Sequence, residues 1–452
     1  MDKKQFDMIV TARDTGDRLT YKTQLELGEK MTGISREIAV KPEKQFQKIL
    51  GFGGAFTEAG GYVLQQLSPQ KQAEVIDAYF DFPSGHGYTL CRTHINSCDF
   101  SLGNYAYAEV PGDTALDHFS IERDRQYLLP MIRAALERSD QPVNILASPW
   151  SPPPWMKTNG QMNHGGKLLP EYRQAWADYY GRYIREYEKE GVSIWGVSVQ
   201  NEPMATQVWD SCVYSAVEER DFVRDFLGPS LEDAGLSHIK IIVWDHNRDL
   251  VFRRANRILQ DPEAAKFVWG VGFHWYEVPN RFRNLTRVHR KHPQTNLLFT
   301  EGCQVGGPHL GEWNLGEKYA FNMIHDLNRW TVGWIDWNML LDERGGPNHV
   351  GNYCSAQIIA DTRNDELLYQ SSYYYFGHIA RFVRPGAVRV GCHVRDRKLL
   401  ACAFQNADGK LAIIVLNPTD APRDFNLSMG GQSMAVPCPA HSILTLIERE
   451  GA

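Results

Sequence analysis

The chain has 452 residues and a mass of 51.5 kDa, which allows about three ordinary domains, or one large barrel with an appended domain. Apolar residues at 43% and charged residues at 23% exclude a disordered chain. The net charge of −6 offers no basic field to nucleic acid or to an anionic membrane.

From the N-terminus, two early lysines are followed by no apolar run of signal-peptide length, so a cytoplasmic protein is expected. No stretch approaches the ~18 uninterrupted apolar residues of an integral membrane segment. The segment Leu19–Val40 carries alternating residues and is expected to pair with a sheet from the far end of the chain, which would protect its edge. Short β-rich runs then recur at Gly51–Gly54, Tyr88–Arg92, Asn144–Ser148, Ile194–Gln200, Lys240–Trp244, Val271–Trp275, Leu297–Thr300 and Gly333–Trp337. Helical patterns fit between them at a step of about 40 residues, so the fold class expected is an α/β (β/α)₈ TIM barrel.

Three helices are readable within that run. Ser68-Pro69 opens one that reaches Phe80. Trp176, Tyr179, Tyr180, Tyr183, Ile184 and Tyr187 form one apolar stripe over Pro170–Glu190, expected to pack on the barrel, and Gly191 stops it. Ser215 with Glu218 is a capping-box pair opening a helix toward Asp233. After Pro385 the pattern changes to short strands at Leu399–Gln405, Leu411–Asn417, Asn426–Met429 and Ser442–Ile447, with hairpin chemistry at Asn406-Ala-Asp-Gly409. The organisation expected is residues 1–48 contributing strands, a catalytic barrel over 49–384, and an all-β sandwich domain over 385–452. The eight scattered cysteines show no zinc-like spacing and are expected to be free buried thiols. The fifteen histidines show no metal motif, so neither metal nor other cofactor is expected.

Catalysis in such a barrel sits at the C-terminal ends of the strands. Glu202 follows strand four in Gln200-Asn-Glu-Pro203, and Glu301 follows strand seven in Thr300-Glu-Gly302. A carboxylate directly after an apolar strand is costly unless paired or useful. One such glutamate alone reads best as a salt-bridged rim residue. Two across one barrel mouth suit glycoside hydrolysis, where one carboxyl protonates the leaving oxygen and the other attacks the anomeric carbon.

Seven motifs occur in order: Gly51-Phe-Gly-Gly-Ala-Phe-Thr57, Ser97-Cys-Asp-Phe-Ser101, Ser148-Pro-Trp-Ser-Pro-Pro-Pro-Trp-Met-Lys-Thr-Asn-Gly160, Asn201-Glu-Pro203, His274-Trp-Tyr276, Thr300-Glu-Gly-Cys303 and Asp336-Trp-Asn338. With these the chain resembles glycoside hydrolase family 30, in its glucosylceramidase branch, over nearly its whole length. The resemblance implies a retaining β-glycosidase acting on a β-D-glucoside, with Glu202 as acid/base and Glu301 as nucleophile. It further implies that Asn201 meets the sugar 2-hydroxyl and that Asp99 accepts hydroxyls on the far side of the ring. Trp150, Trp337 and Asn352 would contact substrate, and Tyr276 would hydrogen-bond the nucleophile. His274 would be a hydrogen-bonding support. Arg92 would keep Glu301 ionised by its charge, or close a structural ion pair. A β-xylosidase, β-fucosidase or β-1,6-glucanase of the same family, and a non-catalytic carbohydrate-binding protein, are the alternatives. The loop Met204–Tyr214 departs from the family pattern, so the glycone side is better specified than the leaving-group side. Oligomeric state is not legible.

Overall fold

The computed structural model describes residues 4–28 and 35–449. Residues 29–34 of the alternating N-terminal segment therefore lie outside the described residues, as do residues 1–3 of the N-terminal run. Eight parallel strands close into a barrel: Gly51–Ala55, Leu90–Ile95, Asn144–Pro149, Gly196–Ser198, Lys240–Asn247, Val268–His274, Asn296–Glu301 and Thr331–Asn338. Closure runs from the eighth strand to the first, with Gly333 opposite Gly51. The glycine pair of the first strand has a steric cause. A Cβ on Gly53 would lie 1.9 Å from the Leu90 carbonyl oxygen, and one on Gly54 would lie 2.6 Å from the Met339 side chain. Inside the barrel, Leu90, Leu146, Ile242, Leu298 and Ile335 form a dry plug with no exposed surface.

The tyrosine stripe packs as expected. A 3₁₀ turn at Pro170–Tyr172 leads into the helix Arg173–Lys189, whose six stripe residues are fully buried. Their hydroxyls need partners once buried. Tyr187 donates to Asp124 at 2.6 Å, alongside Tyr107 at 2.6 Å and Tyr105 at 2.8 Å, so one buried carboxylate collects three phenols. The Ser215–Glu218 capping box forms in full. The helix it opens is not uniformly α: Ala216–Phe222 passes through a π stretch at Val223–Leu227 before Gly228–Asp233.

The second unit is a nine-stranded sheet built from both chain ends. Gln5–Ala12 lies between Thr20–Glu26 and Ser442–Glu448, and Glu37–Lys48 lies between Val388–Val394 and Phe425–Met429. The alternation at Leu19–Val40 did mark strands, but Gln5–Ala12, Val388–Val394 and Gln432–Val436 go beyond those read from sequence. The two edges of the sheet meet at a bridge between Gly28 and Ser433, so it wraps around its own core of Phe6, Val10, Ile38, Ile413, Phe425 and Leu444. A small sheet of Leu340–Asp342, Ile358–Asp361 and Glu366–Tyr369 caps the barrel after the eighth strand and carries the loop with Asn348 and Asn352. Among the described residues no helix is long and apolar enough to cross a membrane.

Candidate active site

The strand ends converge on one cavity of about 330 Å³ at the C-terminal mouth of the barrel. Asp99, Trp150, Asn201, Glu202, Tyr276, Glu301, Trp337 and Asn352 all line it. Arg92 and His274 stand directly behind them and are fully buried. The structure therefore brings all ten sequence-selected residues together.

Glu301 is held from two sides. Arg92 Nη1 donates to its Oε2 at 2.5 Å, and the Tyr276 hydroxyl donates to its Oε1 at 2.9 Å. Two donors on one carboxylate favour its ionised form and fix its direction. Glu202 sits across the mouth in the left-handed backbone region, at φ +47°, with its N–H bonded to the Asp245 carbonyl. Its Oε1 lies 3.1 Å from His274 Nδ1, and Glu301 Oε1 lies 4.0 Å from that same nitrogen. One imidazole nitrogen thus reaches both carboxylates.

Beneath them lies a buried charge network that the sequence reading missed. Arg92 donates to Ser148 Oγ at 3.0 Å, to Asn201 Oδ1 at 2.9 Å and to Asp245 Oδ2 at 2.9 Å. Asp245 also accepts from Ser198 at 2.6 Å and meets His274 Nε2 at 3.0 Å. A β-bulge produces this placement. Trp244 and Asp245 both have positive φ, and the register against strand six slips between Trp244 and His246. The extra residue turns Asp245 into the network and His246 onto the cavity wall. Asp245 follows an apolar strand as Glu202 and Glu301 do, so the strand-end rule could have found it. The bulge that re-aims it has no signature in residue type.

Burial pushes the Asp245 carboxyl up, but the Arg92 charge and the His274 and Ser198 bonds hold it far below the ordinary carboxylate range. Burial works against the charged form of His274, yet the Glu301 charge and the bonds to Asp245 and Glu202 prevail and keep its pKa up at about 9. For Glu301, burial and the Glu202 charge outweigh His274 and Arg92, and its pKa is raised. For Glu202, burial is outweighed by the charges of His246 and His274, and its pKa is lowered. Burial, however, keeps the pKa of His246 below its ordinary value. At neutral pH His246 is uncharged, so the lowering of Glu202 falls to His274.

Beside the Arg92–Glu301 pair the cavity wall is aromatic, with one polar corner. Trp150 and Trp337 stack at 5.2 Å between centroids, with the Arg92 guanidinium 4.8 Å from the Trp150 ring. Asp99 accepts from Asn348 and Asn352, each at 3.3 Å. Burial and the Glu301 charge push Asp99 up to about 8. Asn348 and Trp209 were not singled out in the sequence, and Cys303 stood there only as part of its motif: Asn348 holds the Asp99–Asn352 corner, and Trp209 and Cys303 line the wall.

Comparison with known proteins agrees with this geometry. Residues 49–383 match the glycosyl hydrolase family 30 TIM-barrel domain, and residues 386–446 match the glycosyl hydrolase family 30 beta sandwich domain. The lysosomal acid glucosylceramidase of Mus musculus is 37% identical over 406 residues, covering 85% of this chain and 78% of that protein. An endo-1,6-beta-D-glucanase of Trichoderma harzianum is 27% identical, covering 89% of this chain and 84% of that protein. Among solved structures, SrfJ from Salmonella typhimurium superposes with a TM-score of 0.95 at 36% identity, covering 99% of this chain and 100% of that one. The endo-beta1,6-glucanase BT3312 gives a TM-score of 0.86 at 27% identity, covering 99% of each chain. With both of its domain models matched in order and strand-end carboxylates facing one sugar-sized cavity, the chain belongs to glycoside hydrolase family 30 and is an O-glycosyl hydrolase.

Proposed function

We propose that this chain is a retaining, exo-acting β-glycosidase that takes β-D-glucosides, with Glu301 as nucleophile and Glu202 as acid/base. The observation that carries this reading is the unequal environment of the two carboxylates around His274 Nδ1. Glu301 is pinned by Arg92 and Tyr276, whereas Glu202 meets only histidines. A pinned carboxylate suits attack on the anomeric carbon, and an unpinned one suits proton transfer to the leaving oxygen and then from water. Their approach to one nitrogen also favours a close pair, as the covalent route requires.

Asn201 supports the same assignment. Its Oδ1 is occupied by Arg92, so its amide N–H groups are left to face the cavity and the sugar 2-hydroxyl. Trp150, Trp337, Asp99 and Asn352 line the cavity beside Glu301, where they would hold the terminal sugar. Met204, Val208 and Val305 are exposed on the loops after strands four and seven, so the leaving-group side suits an apolar aglycone. We place catalysis within residues 49–384, with residues 4–28, 35–48 and 385–449 forming the β-domain.

The test is a panel of aryl β-D-glycosides differing only in the sugar, followed by proton NMR of the first product. The glucoside should turn over fastest, and the β-anomer should appear first. Glu301→Gln should cost about 10⁴-fold or more in kcat. An α-anomer appearing first would replace retention by inversion. A preference for β-1,6-linked glucan would favour the glucanase reading that two of the compared proteins suggest.

A further inference from the structure

We propose that Glu202, His246 and His274 form a binding site for one divalent transition-metal ion, Zn²⁺ or Cu²⁺, and that the bound ion blocks the acid/base glutamate. The ligand atoms these three side chains would offer all lie within 4.8 Å of one another. Glu202 Oε1 is 3.1 Å from His274 Nδ1 and 3.5 Å from His246 Nδ1. These separations are close to those between donors around one small cation, and two imidazoles with one carboxylate is a recurrent zinc donor set.

Two further features favour a ligand here. His246 Nδ1 is buried and has no hydrogen-bond partner, although it points toward Glu202. A buried imidazole nitrogen in that state is costly, and a metal ion would satisfy it. His274 directs Nδ1 at the site because its other nitrogen, Nε2, is engaged by Asp245 Oδ1 at 3.0 Å, and an ion would bind there by displacing the Nδ1 proton that now faces Glu202. A carboxylate behind a histidine fixes the ring and raises its basicity toward a metal on the opposite nitrogen. Asp245 is itself locked by Arg92 and Ser198, so the ring cannot swing away.

Glu202 and His246 also line the open cavity, which gives the ion an entry path and leaves room for water as a further ligand. The donor set is rich in imidazole, so it should select Zn²⁺ and Cu²⁺ over Mg²⁺ and Ca²⁺, which prefer all-oxygen shells. No linear motif announces the site, because the three residues come from strand ends four, five and six. His246 reaches it only through the bulge at Trp244–Asp245.

Occupancy would prevent Glu202 from giving or taking a proton, so the consequence is reversible inhibition. That consequence rests on the catalytic role proposed for Glu202; the binding itself does not. The experiment is calorimetric titration of ZnCl₂ into the chelator-stripped full chain, with Co²⁺ absorption as a second readout. Wild type should bind one Zn²⁺ per chain and give the visible bands of four- or five-coordinate Co²⁺. His246→Gln should weaken Zn²⁺ binding at least about tenfold. His246→Cys, which keeps a zinc ligand, should hold affinity closer to wild type. Aryl glucoside hydrolysis should fall with Zn²⁺ in wild type and recover with EDTA, each variant being compared with its own metal-free rate. Absence of saturable Zn²⁺ binding by wild type, or equal affinity in His246→Gln, would overturn the site. Zinc binding without any glycosidase activity would overturn the functional reading and leave the site standing. Activity without zinc binding would do the reverse.

Discussion

At the residue scale, the two glutamates differ in what holds them, and that difference predicts different losses. Glu202 meets only His274 and His246, whereas Glu301 is held by Arg92 and Tyr276, so the work assigned to Glu202 is proton transfer. Glu202→Ala should lower kcat/KM by about 10²–10⁴-fold on aryl glucosides with poor leaving groups. It should cost far less on those with good leaving groups, which need little protonation. A rate series against leaving-group pKa measures this, and equal loss across the series would count against the acid role. A second residue gives a stability test away from the cavity. Asp336 is buried and accepts from Tyr319 at 2.8 Å and Gln357 at 2.7 Å, yet burial outweighs both and raises its pKa from 3.8 to about 7. The native state therefore holds a proton that the unfolded chain has already released. The stability this contributes is present at low pH and is lost as pH rises toward about 7. Wild type should lose on the order of 2 kcal/mol between about pH 5.5 and 7 relative to Asp336→Asn, by urea denaturation. Parallel pH curves for the two proteins would refute this. Glu202, Glu301 and Arg92 were legible because each follows or ends an apolar strand, where a charge demands a reason. Asp245 stands at an equivalent strand end and could have been flagged as a charge, but its partners and the placement of His246 were not legible, because the backbone bulge rather than the residue type brings them into the site.

At the element scale, periodicity carried most of what could be read. The stripe over Arg173–Lys189 repeats at helical spacing, and burying six large side chains on one face leaves little choice of partner but the barrel. The barrel strands were legible as short apolar runs between turn residues, since a parallel strand is covered on both faces. The strands at Gln5–Ala12 and Val388–Val394 were harder. Each has one neighbour from the opposite end of the chain, and its local antiparallel partner follows only after a connection longer than a two-residue hairpin turn, residues 13–19 for the first and 395–399 for the second. The π stretch at Val223–Leu227 was invisible for another reason, since its hydrogen-bond shift leaves composition unchanged. The cap before it was readable and can be tested. The Ser215 hydroxyl accepts from Glu218 N–H at 3.2 Å, and the Glu218 carboxylate accepts from Ser215 N–H at 2.7 Å. Ser215→Ala should cost about 1 kcal/mol in chemical denaturation with activity retained. No change in the denaturation midpoint would mean that this helix end is held by packing instead.

At the scale of the whole molecule, the barrel and the nine-stranded sheet share one interior. Along Leu411–Asn417 and Ser442–Glu448, alternate residues point in opposite directions. Ile413, Val415, Leu444 and Leu446 fill the sheet's own core, whereas Ala412, Ile414, Leu416 and Ile443 join the barrel's hydrophobic cluster. Both faces are buried, which is why residues 411–416 read as an unbroken apolar run, and residues 443–447 are interrupted only where Thr445 bonds His378. The helix Ser371–Ala380 locks the two units together. His378 on it lies 3.0 Å from the Thr11 hydroxyl and 2.9 Å from the Thr445 hydroxyl, joining strands from the two chain ends. Burial lowers the pKa of His378 to about 3, so the ring stays neutral and the contact persists through ordinary working pH. Asn328 adds a bond from the barrel side to the Ala401 carbonyl at 2.9 Å. Removing the sheet would strip Tyr375 and His378 of their partners and uncover the barrel residues packed on Ala412, Ile414, Leu416 and Ile443, at a cost of ~25 cal/mol per Å² of apolar surface exposed. Calorimetric melting of the full chain should therefore give a single cooperative transition, and residues 49–384 expressed alone should fail to form a soluble folded barrel. Two separate transitions, or an active isolated barrel, would show that the shared core is dispensable to the catalytic unit.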